Sequence, residues 1–425
     1  MLDQILQNHR TIDWLEGKSP ELFVEPATRE MLYGCLRYLP GLTQLCHTFL
    51  DKPLKAKDSI VWSILLVGAY QLKFMSVPDH AAINETVAAV RHLRRPWATG
   101  LVNAILRKIS ETEHSFEPSG QFPNALKDQL ATQYPDQAER LYAALLARAP
   151  MTLRVNALRT DSDAYKAQLN AADLDYRPGW FPECLALTTP IPSHRLPGFQ
   201  EGDVAIQDAA AQWAYHILFD SEDMQSSSCK ILDACSAPGG KLFHILEQLG
   251  PATEITALEF EPRRAKTIEQ IGQRLGHTIQ PMIGDARTQD WWDEVTFSHI
   301  LLDAPCSGTG TIRRHPDIKY LFELETLKSH CETQLAMLNN LWPMLQAGGS
   351  LLYCTCSLLE QENDQVIEAF VKQQESEHQP RFIPEISSLE LPTGQPTQHG
   401  WQLLPTDPMT DGFYFSLLKK PKSAR

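Results

Sequence analysis

Apolar residues recur at spacings of three and four through residues 60–75, 81–90 and 101–109, and no alternating stretch interrupts the first 143 residues. That periodicity predicts amphipathic helices throughout this region. Pro78 and Asp79 end one helix and start the next, and Pro96 stops another. After Pro150 the pattern changes. MTLRVNAL reads as a strand, residues 161–172 as a helix, and the five prolines between Pro178 and Pro197 punctuate short strands and turns. From Lys230 onward, strand and helix patterns alternate at the spacing of a parallel, doubly wound sheet. The expected strands are KILDA, ITALEF, IQPMI, HILLDA, SLLYCTC and, at the end, DGFYFSLL. Helices are expected over 240–249, 262–275, 321–345 and 361–374. Residues 375–409, rich in Pro, Gln, Ser and Glu, read as a long loop, and Lys419, Lys420, Lys422 and Arg425 form a basic tail.

The pattern implies three domains: all-α over 1–143, a small α+β connector over 144–208, and a Rossmann-like α/β domain over 209–425. The length of 425 residues agrees with more than one domain. An apolar fraction of 43% with 21% charged residues is that of a soluble globular chain. The N-terminus carries Asp3 and no apolar core, unlike a secretory signal. The apolar run 60–72 is too short to span a bilayer and is closed by Lys73. No membrane association is expected. Nine cysteines without a framework pattern point to reduced thiols and a cytoplasmic location.

A net charge of −14 counts against nucleic acid, because phosphate contacts dominate such binding. The charge is unevenly placed, however. Residues 1–150 hold 16 basic and 16 acidic residues, so the whole deficit lies in the remainder. Basic clusters persist at Arg91, Arg94, Arg95, Arg107 and Lys108, and again at Arg313, Arg314 and Lys319. They keep an RNA surface open.

Ligands of such a sheet bind at the carboxyl ends of its strands. The first strand runs into DACSAPGGK, whose glycines allow backbone amides to approach a ligand. This turn lacks both the G-x-G-x-x-G spacing and the GK[ST] phosphate loop, which disfavours a nicotinamide cofactor or a nucleoside triphosphate. Glu259, 26 positions past Asp233, stands where an acid would accept from ribose hydroxyls. Asp285 stands where an acid would meet an exocyclic amine. Acids at three successive strand ends favour an adenosine-type ligand, and S-adenosylmethionine fits best. Two further strand ends carry thiols: Cys306 after Asp303-Ala304-Pro305, and Cys356 within Thr-Cys-Ser. Cys35, Cys46, Cys184, Cys229 and Cys331 read as small core residues. Zinc on Cys354, Cys356, Cys306 and Cys235 is disfavoured, because the usual C-x₂₋₄-C spacings with histidine partners are missing. No metal is expected.

DACSAPGGK, LLDAPCSGTGTIRRHPDIKY and YCTCSLLEQEN closely resemble the motifs of RNA 5-methylcytosine methyltransferases. VGAYQLKFMSVPDHAAINETV with GLVNAILRK resembles the NusB-like domain of the RsmB (Sun) branch, and RVNAL, FQEGDVAIQDAAAQ and DGFYFSLLK also match it. The resemblance implies S-adenosylmethionine on Cys235, Ser236, Ala237, Pro238, Gly239, Gly240 and Lys241, with Glu259, Asp285 and Asp303. It implies Cys356 as nucleophile and Cys306 as the thiol that clears the product. Asp303 would serve both cofactor and base. Where Glu259 stands the family usually has aspartate, and where Cys354 stands it often has alanine. The implied partner is small-subunit ribosomal RNA, held in part by Arg313, Arg314, Lys319, Arg94 and Arg95, with no obligate protein partner. A transfer RNA substrate, or a non-catalytic RNA-binding assembly factor, are the alternatives.

Overall fold

The computed structural model describes residues 1–219, 229–374, 381–382 and 394–422. They form two compact units, one of residues 1–147 with 312–323, the other of residues 148–311 with 324–425. Of the loop expected over 375–409, residues 375–380 and 383–393 lie outside the described residues, as does Arg425 of the basic tail.

The first unit is all helical. The three periodic stretches become helices Ser59–Phe74, Asp79–His92 and Thr99–Ser110, within one core that includes Leu36, Leu42, Leu66, Val102 and Leu106. Into this unit the chain returns with residues 312–323. Lys319 Nζ donates to the carbonyls of Arg37 at 2.7 Å and Gln121 at 2.9 Å, and the Tyr320 hydroxyl donates to Leu36 O at 2.7 Å. Asp317 Oδ2 accepts from Ile12 N at 2.9 Å. The helix expected over 321–345 is therefore two, Ile318–Leu321 and Leu324–Leu341. Phe322 between them is extended, because the residues before it are anchored in a different core.

The second unit begins with the connector, a sheet of β1 (Met151–Val155), β2 (Tyr176–Pro178), β3 (Cys184–Leu187) and β4 (Val204–Ile206) in the order β2-β3-β1-β4. Helix Ser162–Ala171 covers it, started by Asp161, whose Oδ1 accepts from Ala164 N at 2.8 Å. Leu153, Tyr165, Leu169 and Leu185 make the core between them.

The larger sheet contains β5 (Lys230–Asp233), β6 (Glu254–Glu259), β7 (Met282–Ile283), β8 (Phe297–Asp303), β9 (Leu345–Thr355), β10 (Arg381–Phe382), β11 (Gln395–Pro396), β12 (Trp401–Leu403) and β13 (Phe413–Lys419). Its order is β11-β12-β13-β9-β8-β5-β6-β7, with β10 also on β13. β5 to β9 pair in parallel, whereas β13 runs antiparallel to β9. IQPMI thus contributes only two residues, at the sheet edge, where Pro281 lacks a donor. The segment 394–409, expected as loop, instead supplies β11 and β12. The chain moves outward from β5 to β7 and returns on the other side of β5 as β8, so the switch point lies between β5 and β8.

Arg154 joins the connector to helix Gly240–Leu249. Its Nε and Nη2 each donate to Glu247 at 2.8 Å and its Nη1 to Gly240 O at 2.7 Å, with both charged side chains fully buried. Glu183, just ahead of β3, accepts from His216 Nε2 at 2.8 Å and His244 Nε2 at 3.1 Å. Burial holds the His244 imidazole down at about 3, so the ring is neutral. Among the described residues, no helix is long and apolar enough to cross a membrane.

Removing one member of a buried pair leaves the other charge uncompensated, a loss of about 3–5 kcal/mol. Arg154→Ala should accordingly lower the thermal midpoint by roughly 10 °C in a melting experiment. A variant that melts with the wild type would show that Glu247 finds other compensation.

Candidate active site

Four strand ends converge at the switch point. β5 delivers the turn Ala234–Gly239, which enters helix Gly240–Leu249. Gly239 has φ +105°, and a Cβ there would lie 2.5 Å from the Phe243 ring, so only glycine fits this turn. Ser236 Oγ donates to Asp233 Oδ2 at 2.9 Å. Glu259, at the end of β6, is buried and accepts from Ala237 N at 3.3 Å and Glu261 N at 3.0 Å, with Arg264 Nη1 3.7 Å away. Its carboxylate therefore stands against the glycine turn. Asp285 is bound by Arg287, whose Nη2 donates to Oδ2 at 2.6 Å. Those hydrogen bonds hold its carboxyl below the usual range. An amine reaching Asp285 has this arginine as a competitor.

At the ends of β8 and β9, Asp303 stands opposite Cys354. Lys241 Nζ donates to Asp303 Oδ2 at 2.6 Å, and Cys354 Sγ lies 3.6 Å from Oδ1. Burial alone would lower the Lys241 ammonium; Asp303 outweighs it and raises it above the ordinary lysine value. Past these strand ends, Cys306 Sγ and Cys356 Sγ are 3.5 Å apart. The hydrogen bond shared with Cys356, and then burial, push the Cys306 thiol well up. Cys235 and Cys354 are raised chiefly by burial, next by Asp303, and both stay as thiols.

The loops carrying the two thiols are held by one buried carboxylate. Glu362 accepts from Ser307 N at 2.7 Å, Ser307 Oγ at 2.5 Å and Ser357 Oγ at 2.6 Å. Gly310 N donates to Cys356 O at 2.9 Å, and a Cβ on Gly310 would lie 2.2 Å from Gly412 O. The GTG loop is thus fitted closely against the backbone of Cys356.

Two of the residues expected to touch RNA are withdrawn from solvent. Lys319 is 1% exposed, its ammonium spent on two carbonyls of the helical unit, and this excludes it as a phosphate contact. Burial also holds its charge well below the lysine range. Arg313 is 3% exposed and is likewise withdrawn from the surface. Arg314 and Arg95 are half-buried, and Arg94 is exposed, beside Leu93 and Trp97, which are 46% and 55% exposed.

Asp233 and Glu362 were not predicted as site residues. Asp233 occupies the same strand-end position that marked Glu259 and Asp303, so its placement was readable. Glu362 gives no such signal, being an acid in a surface-like SLLEQEN stretch. Glu259 and Asp303 gather negative charge at the strand ends on either side of β5, where Asp233 Oδ1 is buried without a partner. Acids of this kind beside an open glycine turn fit a cationic ligand such as the sulfonium and ammonium groups of S-adenosylmethionine.

Such a sheet, with its glycine turn and strand-end acids, defines a Rossmann-like methyltransferase. Residues 220–419 match the profile of 16S rRNA methyltransferase RsmB/F, residues 3–111 that of the NusB family, and residues 122–194 that of an RsmF/B-like ferredoxin-like domain. Ribosomal RNA small subunit methyltransferase B of Vibrio cholerae is 39% identical over 402 residues, 92% of this chain and 88% of that protein. The Pseudomonas syringae protein of the same name is 39% identical over 403 residues, with the same coverage. The chain belongs to the ribosomal RNA small subunit methyltransferase B family. In fold it is similar to the crystal structure of PH0851, with a TM-score of 0.82 at 21% identity, covering 99% of this chain and 97% of that one. NSun6 from Pyrococcus horikoshii, solved with SFG, has a TM-score of 0.60 at 20% identity, covering 71% of this chain and 99% of that one.

Burial pushes the Asp233 carboxyl up to about 7, opposed by the Ser236 hydrogen bond. An unfolded aspartate ionises near ~3.9. The stability contributed by this group is therefore complete below about pH 4 and lost as pH rises through about 7. Asp233→Asn, neutral throughout, should gain on the wild type by about 3 kcal/mol between pH 5 and pH 8. Chemical denaturation at both pH values measures this; a constant difference would refute the assignment.

Proposed function

We propose that this chain methylates carbon 5 of a cytosine in small-subunit ribosomal RNA through a covalent bond from Cys356 to the base, with S-adenosylmethionine as donor. The observation that carries the reading is the pair of sulfurs 3.5 Å apart beside Asp303, next to the glycine turn. The names of the curated relatives support the RNA class.

Carbon 5 of cytosine is a poor nucleophile while the ring is conjugated. Attack of the Cys356 thiolate on carbon 6 breaks the conjugation and leaves an enamine. Asp303 holds the N3 edge as charge develops there, with Lys241 bound to it. S-Adenosylmethionine supplies an electrophilic methyl group, which carbon 5 accepts. Residues Cys235 to Gly240, with Glu259 and Asp233, form its cradle, and Lys241 serves from the Asp303 side. The carbon 5 proton then passes to Cys306, directly or through water, and the electron pair left behind expels Cys356. A late role for the second thiol is supported by its surroundings. Its largest obstacle to ionisation is the hydrogen bond with Cys356, and that partner is lost once the Cys356 sulfur is bonded to carbon. The target base must leave its stack to reach this site. Of the basic residues expected to meet RNA, Arg94 is exposed and is offered to phosphate.

Cys356→Ala should lower methylation on the order of 10³-fold or more while RNA binding persists. Normal turnover by it would overturn the nucleophile. Cys306→Ala should accumulate a protein–RNA adduct that survives denaturing electrophoresis, and its absence during turnover would remove Cys306 from product release. Bisulfite sequencing of ribosomal and transfer RNA from a deletion strain identifies the substrate.

A further inference from the structure

Away from the thiols, three metal-ligating side chains meet that the methyl-transfer reading leaves unused. Glu183 precedes β3 of the connector, His216 lies on helix Ala209–Leu218, and His244 lies on helix Gly240–Leu249. Their donor atoms all fall within 4.8 Å of one another. Both imidazoles present Nε2 to the same carboxylate oxygen, Glu183 Oε1, at 2.8 and 3.1 Å.

We propose that Glu183, His216 and His244 bind one zinc-class divalent ion, with water as fourth ligand. Two histidines and a glutamate are a known zinc donor set, and three protein ligands leave one position of a tetrahedron for solvent. Ligands on such an ion, each about 2.0–2.1 Å from it, stand about 3.4 Å apart. The distances of 2.8 and 3.1 Å are shorter than this by roughly half an ångström, and no two of the donor atoms are more than 4.8 Å apart, so side-chain shifts of about an ångström admit the ion. The site is also suitably enclosed. His244 and Glu183 side chains are 1% and 10% exposed, whereas His216 is 25% exposed and offers the entry path and the solvent face. Phe181 stacks on the His216 ring at 3.5 Å between centroids and restricts its motion.

The ion fixes three elements separated in sequence: the connector, helix Ala209–Leu218, and the helix that starts at the glycine turn. His244 is three positions beyond Lys241, one turn along the same helix, so the ion steadies the element that brings Lys241 to Asp303. Its part is structural, outside the transfer of the methyl group.

The full chain, stripped with chelator and titrated with cobalt(II), tests the proposal. His216→Phe keeps the ring stacked on Phe181 and deletes the ligand; Glu183→Gln keeps the shape and deletes the charge. Folding of both is checked by circular dichroism. The expected result is one equivalent of cobalt with tetrahedral visible bands and no thiolate charge-transfer band, and a rise in melting temperature on adding zinc. In either variant, affinity should fall about 10-fold or more and the rise should vanish. Absence of binding, a thiolate band placing the metal on the cysteines, or equal binding by the variants would overturn it.

Discussion

A single buried carboxylate brings two distant loops into register. Cys306 and Cys356 are fifty positions apart, and their strands, β8 and β9, merely end side by side. Parallel pairing fixes the strand ends but not the turns beyond them. Glu362 supplies the rest, since it accepts from the residue that follows each cysteine, Ser307 and Ser357. Hydrogen bonds to an ionised, buried acceptor are stronger than those between neutral groups. The sulfur separation thus depends on three donors meeting one anion, and the thiols themselves are left free to react.

Asp303 has a comparable place on the other side of the site. It ends β8, next to β5 across the switch point and next to β9 on the opposite flank. One side chain therefore meets Lys241 from the glycine-turn helix and Cys354 from the thiol-bearing strand. A doubly wound sheet has one such position, where the chain reverses its direction of travel. In the proposed reaction the cofactor and base sides of the chemistry share it, because it has neighbours of both kinds.

Much of this was legible in the sequence. The parallel strands, the helices between them and the glycine turn followed from periodicity and from the rule that strand ends carry polar residues. What escaped depended on partners remote in the chain. Lys319 sits in a basic run and reads as a phosphate contact, yet its ammonium ends on the carbonyls of Arg37 and Gln121, almost three hundred and two hundred positions away. Apolar periodicity likewise runs smoothly from Leu321 onward and conceals the break at Phe322. Asp233 looked like any strand-end acid, because its neutrality comes from burial, which composition does not report. β11 and β12 were hidden in a stretch whose prolines and glutamines read as loop, although Trp401 and Leu403 pair with β13.

The return of residues 312–323 to the helical unit has a consequence for how the protein is made. Carbonyls of Leu36, Arg37 and Gln121 receive their donors from Tyr320 and Lys319, so the helical unit is complete only after residue 323 has been synthesised. By then β5 to β8 have also been synthesised. The N-terminal helices must wait, with polar backbone groups still open, while most of another fold is translated. The order of synthesis therefore does not match the order of assembly, and a fragment cut at the first boundary between the units would lack a piece of its own interior.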